Sequence, residues 1–475
     1  MNGPIRKVTV FVSLLMAALL LNLTWIAVVR ADSLNEDTSN RRVRDAEFSR
    51  NRGAILVGNQ PIAQSVPRGG RFPYIRSYPQ PEIWSSVTGW YSYDYARSGL
   101  EHTYNQELAG TSSGQSVGRA VDLLTGRRSR GANISTTLNP AAQAAAVRAL
   151  GDQRGAVVAM NYETGEILAL VSTPTYDPNR LATVDLTAER EAWVELLDRP
   201  DEPLKNRAVR EIYPPGSTFK LVTAAAALED GMVPSTEVDS PDSLPLPNSN
   251  RSMGNSTNCG GTRVSLEQAL KTSCNTAFGN LGLQLGADKL LEQAEKFGFN
   301  QEPTIDMTAA ESVFPTELDE AQTALTAIGQ FDVAASPLQI VQVAAAIAND
   351  GVLMRPHVVS SVTNSDLTVL SSNPSERLSA PLSPSSAEHL QQMMIATVED
   401  GTGRPAQIDG AVVGGKTGTA QTAPDRPPYA WFVGFAEEPK VAVVAFVEDA
   451  DVERNDISGG RLAAPIFKAV VEALR

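Results

Sequence analysis

Histidine is nearly missing from this chain. Among 475 residues there are three, His102, His357 and His389, and none lies in a ligand-like cluster. A catalytic triad built on histidine would have to recruit one isolated ring. Cysteine is scarcer still, with Cys259 and Cys274 alone. A zinc centre of His and Cys is therefore not expected, and nothing else in the sequence asks for a metal or a cofactor. Basic charge is in deficit: 40 Lys and Arg against 54 Asp and Glu leave a formal charge of −14 and a pI near 4.9. A nucleic-acid partner needs a basic footprint, so none is expected. Beyond the N-terminus no long apolar run occurs.

That one run is clear. Residues 8 to 29, "TVFVSLLMAALLLNLTWIAVV" with Val8 before it, carry no charge and are flanked by Arg6, Lys7 and Arg30. At helical rise such a stretch spans roughly 30 Å of hydrocarbon. The rival is a cleaved signal peptide ending near Ala31, but its apolar core would normally be shorter. The expectation is a short cytoplasmic tail and transmembrane anchor over 1–29, single-pass, with the body outside the cell membrane. Arg30, Arg41, Arg42 and Arg44 do not favour that orientation by charge count. It rests instead on the tail being too short to carry function.

Residues 30–140 are rich in Arg, Gly, Ser and Tyr, with short strand-like runs such as "RGAILVG", and read as a small, mixed, non-catalytic N-terminal domain. Trp90, Tyr91, Tyr93 and Tyr95 either form a binding platform or pack a thin core; packing is the plainer reading. The texture changes at "TTLNPAAQAAAVRAL", a helix that Thr137 can cap and Pro140 can open. "GAVVAMNYETGEILALVS" reads as a hairpin. "YAWFVGFAEEPKVAVVAFVED" supplies two more strands, and "APIFKAVVEAL" a closing helix. Strands near both ends with an alanine-rich helical middle predict an α+β domain over 141–475. Its antiparallel sheet would be covered by helices, with the two chain ends meeting in it.

The chemistry gathers around "YPPGSTFK". Two prolines fix the approach, Gly216 allows a sharp turn, and Ser217 and Lys220 stand three apart on one helix face. By itself Ser-x-x-Lys is weak, because a serine cap and a solvated lysine are ordinary. "KTSCNTAFG" then supplies Ser273 and Asn275, and "GGKTGTAQ" supplies Lys416, Thr417, Gly418 and Thr419. The ordered set is specific: a serine, a Ser-x-Asn and a Lys-Thr-Gly strand mark penicillin-interacting serine enzymes. The scarcity of histidine then makes sense. A lysine serves as the base if burial and a second cation pull its pKa down from about 10.4. Lys220 fits that role for Ser217, with Lys416 as the neighbouring charge. Ser273 could relay the proton and Asn275 hold Lys220 in register. Gly418 would keep the strand edge open for substrate, and Thr417 and Thr419 would meet its carboxylate. Backbone N–H groups of Ser217 and Thr419 suit an oxyanion.

On these motifs, and on "NRAVREIYPPGSTFK", "STPTYDPN", "AIGQFDVAASPLQ" and "GGRLAAPIF", the chain resembles the class B penicillin-binding proteins. These are monofunctional D,D-transpeptidases of peptidoglycan synthesis. More narrowly it resembles the short actinobacterial penicillin-binding protein A type. The resemblance implies the penicillin-binding transpeptidase fold, shared with serine β-lactamases. It implies cross-linking of peptidoglycan stem peptides on lipid-linked nascent glycan through a serine acyl-enzyme, and acylation by β-lactam inhibitors. It also implies a membrane glycosyltransferase of the shape, elongation, division and sporulation family as partner. A D,D-carboxypeptidase, a β-lactamase or a β-lactam sensor would share the fold and the motifs.

The two cysteines stand fifteen apart on either side of "GGTRVSLEQALKTS", and Cys274 is the middle residue of the Ser-x-Asn motif. Two free, buried thiols are one reading. In an oxidising exterior, a Cys259–Cys274 disulfide beside the motif is the expectation.

Overall fold

A computed structural model describes residues 2–35, 41–116, 125, 130–423 and 426–475. The apolar N-terminal run is a continuous helix, α1 (Asn2–Val28), long and apolar enough to cross a membrane and with none of its span buried.

The N-terminal segment builds three strands, β1 (Ile55–Val57), β2 (Gln60–Pro67) and β3 (Tyr74–Ser77), and returns with β4 (Asn133–Thr136). The sheet is not completed locally. Two strands from far downstream, β7 (Val359–Thr363) and β8 (Val369–Ser372), extend it in the order β8-β7-β4-β1-β2-β3. The half-buried Asp306 carboxylate holds this insertion, accepting from the N–H groups of Val358 and Val359 at 2.7 and 2.8 Å. The aromatic patch packs inward: Tyr91 stacks on Phe48 at 4.5 Å, and Tyr95 stacks on Trp193 of α3 (Leu186–Asp198), also at 4.5 Å.

Downstream, α2 (Pro140–Leu150) forms as expected, but its cap is Asn139, whose side chain accepts from Ala141 and Ala142 N–H. Thr137 spends its hydroxyl on Ile167 O at 2.7 Å. The capping position is set by the residue directly before Pro140 at N1, and Asn is as good a cap as Thr. The predicted hairpin is β5 (Arg154–Asn161) with β6 (Ile167–Thr173). The late strands are β9 (Val413–Ala420), β10 (Tyr429–Ala436) and β11 (Val441–Asp449). They join as an antiparallel sheet, β9-β10-β11-β5-β6, so the early and late parts of the chain pair directly along β5 and β11.

Both faces of this sheet are covered, which is why its strands read as unbroken apolar runs although the sheet is antiparallel. Val157, Ala159, Val443 and Ala445 point to α2 and α8 (Ala464–Leu474). Their alternates Val158, Val444 and Phe446 point to the larger core. That core holds α4 (Lys220–Glu229), α5 (Asn275–Leu285), α6 (Pro337–Ala348) and α7 (Pro384–Asp400). Among the described residues strand β9 pairs only with β10, and its other edge borders a cleft.

Candidate active site

Ser217 lies on a turn that is fastened from four sides. Tyr213 exchanges backbone hydrogen bonds with Ala335 at 3.0 and 2.9 Å, and Trp431 Nε1 on β10 donates to Pro214 O at 3.1 Å. Gly216 has φ 53, in the left-handed region, and gives its N–H to Gly329 O at 2.9 Å. Thr218 Oγ1 donates back to Pro215 O at 2.8 Å. These bonds set Gly216–Thr218 as one 3-10 turn ahead of α4, so Ser217 precedes the α-helix and Lys220 is its first residue. The turn runs on into the helix through Phe219, whose φ of −64 and ψ of −19 are helical.

Lys220 and Lys416 both have side chains closed off from solvent, at 0% relative exposure. Lys220 Nζ donates to Ser273 O at 2.7 Å, to Asn275 Oδ1 at 2.8 Å and to Ser273 Oγ at 3.3 Å. Lys416 Nζ donates to Ser273 Oγ at 2.8 Å and to Thr417 O at 2.9 Å. Burial, and then the charge on Lys416, hold the Lys220 ammonium well below the ordinary lysine pKa. Burial pushes Lys416 down to about 7. No carboxylate salt bridge reaches either lysine among the described residues.

Ser273 itself is held at φ 59, a left-handed conformation uncommon for a non-glycine residue. It turns the chain so that Asn275 can open α5, whose side-chain Nδ2 donates to Gly254 O at 3.0 Å while Oδ1 accepts from Lys220. Cys274, between them, is bonded to Cys259 with an S–S distance of 2.09 Å. The bond ties this corner to the loop before it.

On the other side stands β9. Lys416 is in register with Val433 of β10, and Thr417 Oγ1 donates to Thr402 Oγ1 at 2.8 Å. Thr419 is half-buried at the cleft. Gly418 is closely packed. A Cβ there would lie 2.8 Å from Thr218 Cγ2, 3.0 Å from Trp431 Cβ and 3.1 Å from Pro215 O. Its bareness lets β9 close onto the Ser217 turn.

Ser217, Ser273, Asn275, Thr417 and Thr419 line one cleft of about 890 Å³. Sequence reading missed several of its walls: Ser256, Thr257, Thr402, Phe331 and Arg454. Only the positive φ of Phe331 sets any of them apart, and that is invisible before folding. The arrangement offers a hydroxyl on a rigid turn, a buried amine with a depressed pKa, a hydroxyl bridging two amines, and a strand edge.

Two families match the chain. The penicillin binding protein transpeptidase domain covers residues 155–472, and the penicillin binding protein A dimerisation domain covers residues 52–134. The peptidoglycan D,D-transpeptidase PbpA of Mycolicibacterium smegmatis is 45% identical over 487 residues, covering 100% of this chain and 99% of that protein. PbpA of Mycobacterium tuberculosis is 42% identical over the same shares. A solved structure of the M. tuberculosis penicillin-binding protein A, a ceftriaxone acyl-enzyme complex, superposes with a TM-score of 0.86 at 41% identity. It covers 90% of this chain and 99% of that one. The D,D-transpeptidase domain from Eggerthella lenta superposes at 0.77 with 32% identity, covering 90% and 98%.

Proposed function

Because the chain belongs to the penicillin-binding protein family, as a class B serine-type D,D-transpeptidase, we propose a residue-level mechanism in which Ser217 is the nucleophile and Lys220 its base. Neutral Lys220 takes the Ser217 proton as Oγ attacks the carbonyl carbon of the penultimate D-Ala of a stem peptide. The oxyanion is received by the N–H groups of Ser217 and Thr419. The proton passes from Lys220 through Ser273 Oγ to the nitrogen of the terminal D-Ala, the C–N bond breaks, and D-Ala leaves. The amine of a second stem peptide then attacks the ester, returning its proton along the same route and freeing Ser217. Lys416, while charged, holds Ser273 Oγ and faces the substrate carboxylate together with Thr417 and Thr419. Asn275 keeps Lys220 in register.

The observation that carries this reading is the bridge: Ser273 Oγ accepts from both Lys220 and Lys416. A surface lysine pair would have no reason to share a buried hydroxyl. β-lactams mimic the donor and acylate Ser217 in this mechanism; ceftriaxone, imipenem and penicillin G form acyl-enzyme complexes with the M. tuberculosis protein. The chain is divided as anchor 1–29, N-terminal domain 30–140 and transpeptidase domain 141–475, with 359–372 lent back to the N-terminal sheet. The anchor stays attached, the body is extracytoplasmic, and a membrane glycosyltransferase of the shape, elongation, division and sporulation family supplies nascent glycan. The decisive assay is cross-linking of lipid-linked glycan by the full chain together with such a glycosyltransferase. Wild type forms cross-linked peptide, and Ser217→Ala forms none and takes no label from a fluorescent penicillin. Labelling of Ser217→Ala at another serine would overturn the assignment.

A further inference from the structure

Phe331 is a large residue in a conformation suited to glycine. Its φ is 64, and its side chain is 40% exposed within the cleft that Ser217 lines. L-residues with bulky side chains seldom occupy the left-handed region. The backbone around it explains why this one cannot relax. Ala327 O accepts from Thr223 Oγ1 of α4 at 2.8 Å, and Gln330 N–H donates to Leu325 O at 3.1 Å. Gly329 O accepts the N–H of Gly216, and a Cβ on Gly329 would lie 2.2 Å from Gly216 O. Beyond it, Ala334 and Val313 exchange backbone hydrogen bonds at 3.0 and 2.7 Å. Position 331 is clamped on one side to the turn that carries Ser217 and on the other to Val313.

Glycine at 331 would meet the same backbone demand without strain. The chain instead keeps a phenyl ring there and leaves it open to the cleft. Strain at such a site, held by its surroundings, points to a use for the side chain. The lining shows what use. Leu325, Ile328 and Phe331 form an apolar stretch, whereas Thr402, Thr417 and Thr419 form a polar one. A peptide donor has a matching division: a terminal carboxylate, and an acyl portion that stays on the serine.

We propose that Phe331 is a substrate-contact residue that sets specificity, its ring packing against the apolar part of the acyl portion of the donor. The polar stretch along β9 takes the carboxylate end. This rests on Ser217 being the acylated residue, and it adds that recognition of the acyl portion depends on one strained aromatic. The ring selects donors with apolar substituents near the scissile bond. A donor lacking them gains nothing from it.

The test compares two probes that share a reactive ring: benzylpenicillin, and the penicillin nucleus lacking its acyl side chain. In wild type the second-order acylation constant favours benzylpenicillin. Phe331→Ala and Phe331→Gly reduce that preference about tenfold, and Phe331→Leu restores most of it. Phe331→Gly melts above Phe331→Ala, because glycine relieves the left-handed backbone. A preference in Phe331→Ala within about twofold of wild type overturns the proposal, since loss of an apolar contact of this size exceeds that. The two readings separate cleanly. If wild type is acylated by both penicillins but leaves a D-Ala-D-Ala pentapeptide untouched, the transpeptidase mechanism fails while the preference ratio still decides the role of Phe331.

Discussion

Lys220 and Lys416 converge on a single hydroxyl, donating to Ser273 Oγ at 3.3 and 2.8 Å. A hydroxyl has two lone pairs and one proton. With both lone pairs engaged by amines, the Ser273 proton is left for a third partner.

The rate of acylation should therefore depend on pH with a limb for each lysine. In the proposed mechanism Lys220 acts as a base only when neutral, so the rate rises with pH through its depressed pKa. In the same mechanism Lys416 supports Ser273 and the substrate carboxylate only when charged, so the rate falls as pH passes about 7 in the free enzyme. A guanidinium keeps its charge across this range. Lys416→Arg, measured as the second-order acylation constant from acid to alkaline pH, should keep the acid limb and lose the alkaline one. An unchanged alkaline limb would assign it to another group.

Burial of Lys416 also has a cost that varies with pH. Its folded pKa, about 7, lies below the ordinary value of 10.5. Between these values the unfolded chain binds more protons, so stability rises with pH across that window. Below it, the full cost of the buried ammonium is present. Lys416→Met should abolish activity yet raise the melting temperature, and by more at pH 6 than at pH 10. An equal shift at both values would show that the amine is not desolvated.

Gly418→Ala tests the contact between β9 and the Ser217 turn. The added methyl would sit 2.8 Å from Thr218 Cγ2 and 3.1 Å from Pro215 O, and the backbone atom cannot yield alone. Moving the turn by a fraction of an ångström should lower acylation by about a hundredfold, while the melting temperature falls only modestly. Wild-type acylation in a folded Gly418→Ala would show that the turn has slack.

The Cys259–Cys274 bond closes a loop with a sequence separation of 15. On the chain-entropy argument, closing such a loop contributes about 3 kcal/mol to stability. Its position matters more here than its stability, since Cys274 separates Ser273 from Asn275. Reduction should lower the acylation rate proportionally more than it lowers the melting temperature. Alkylation of both thiols without reductant, in protein from an exporting host, would remove the basis for this.

The chemistry was legible in the sequence because it is local. Ser217 and Lys220, Ser273 and Asn275, and Lys416 to Thr419 are short strings whose spacing survives in any fold that brings them together. The hairpin at 154–173 was legible too, because two apolar runs flank a turn. What could not be read depends on distant partners. The strands at 359–372 are short and mostly polar, so nothing in their pattern assigns them to a sheet begun three hundred residues earlier. Thr402 joins the site only through Thr417, and Phe331 only through a backbone angle. The close packing of Gly418 was hidden for the same reason, since its neighbours Thr218 and Trp431 come from other parts of the chain.

The loan of β7 and β8 to the N-terminal sheet imposes an order on biogenesis. Thr137, next to β4, hydrogen-bonds Val358, next to β7, across a sequence separation of 221. As the chain is synthesised from its N-terminus, β1 to β4 are complete while the partner of the β4 edge is still unmade. An unpaired strand edge is a template for wrong pairing until it is covered. The sheet begun first is thus among the last to be finished, and that delay is where premature truncation would act most strongly.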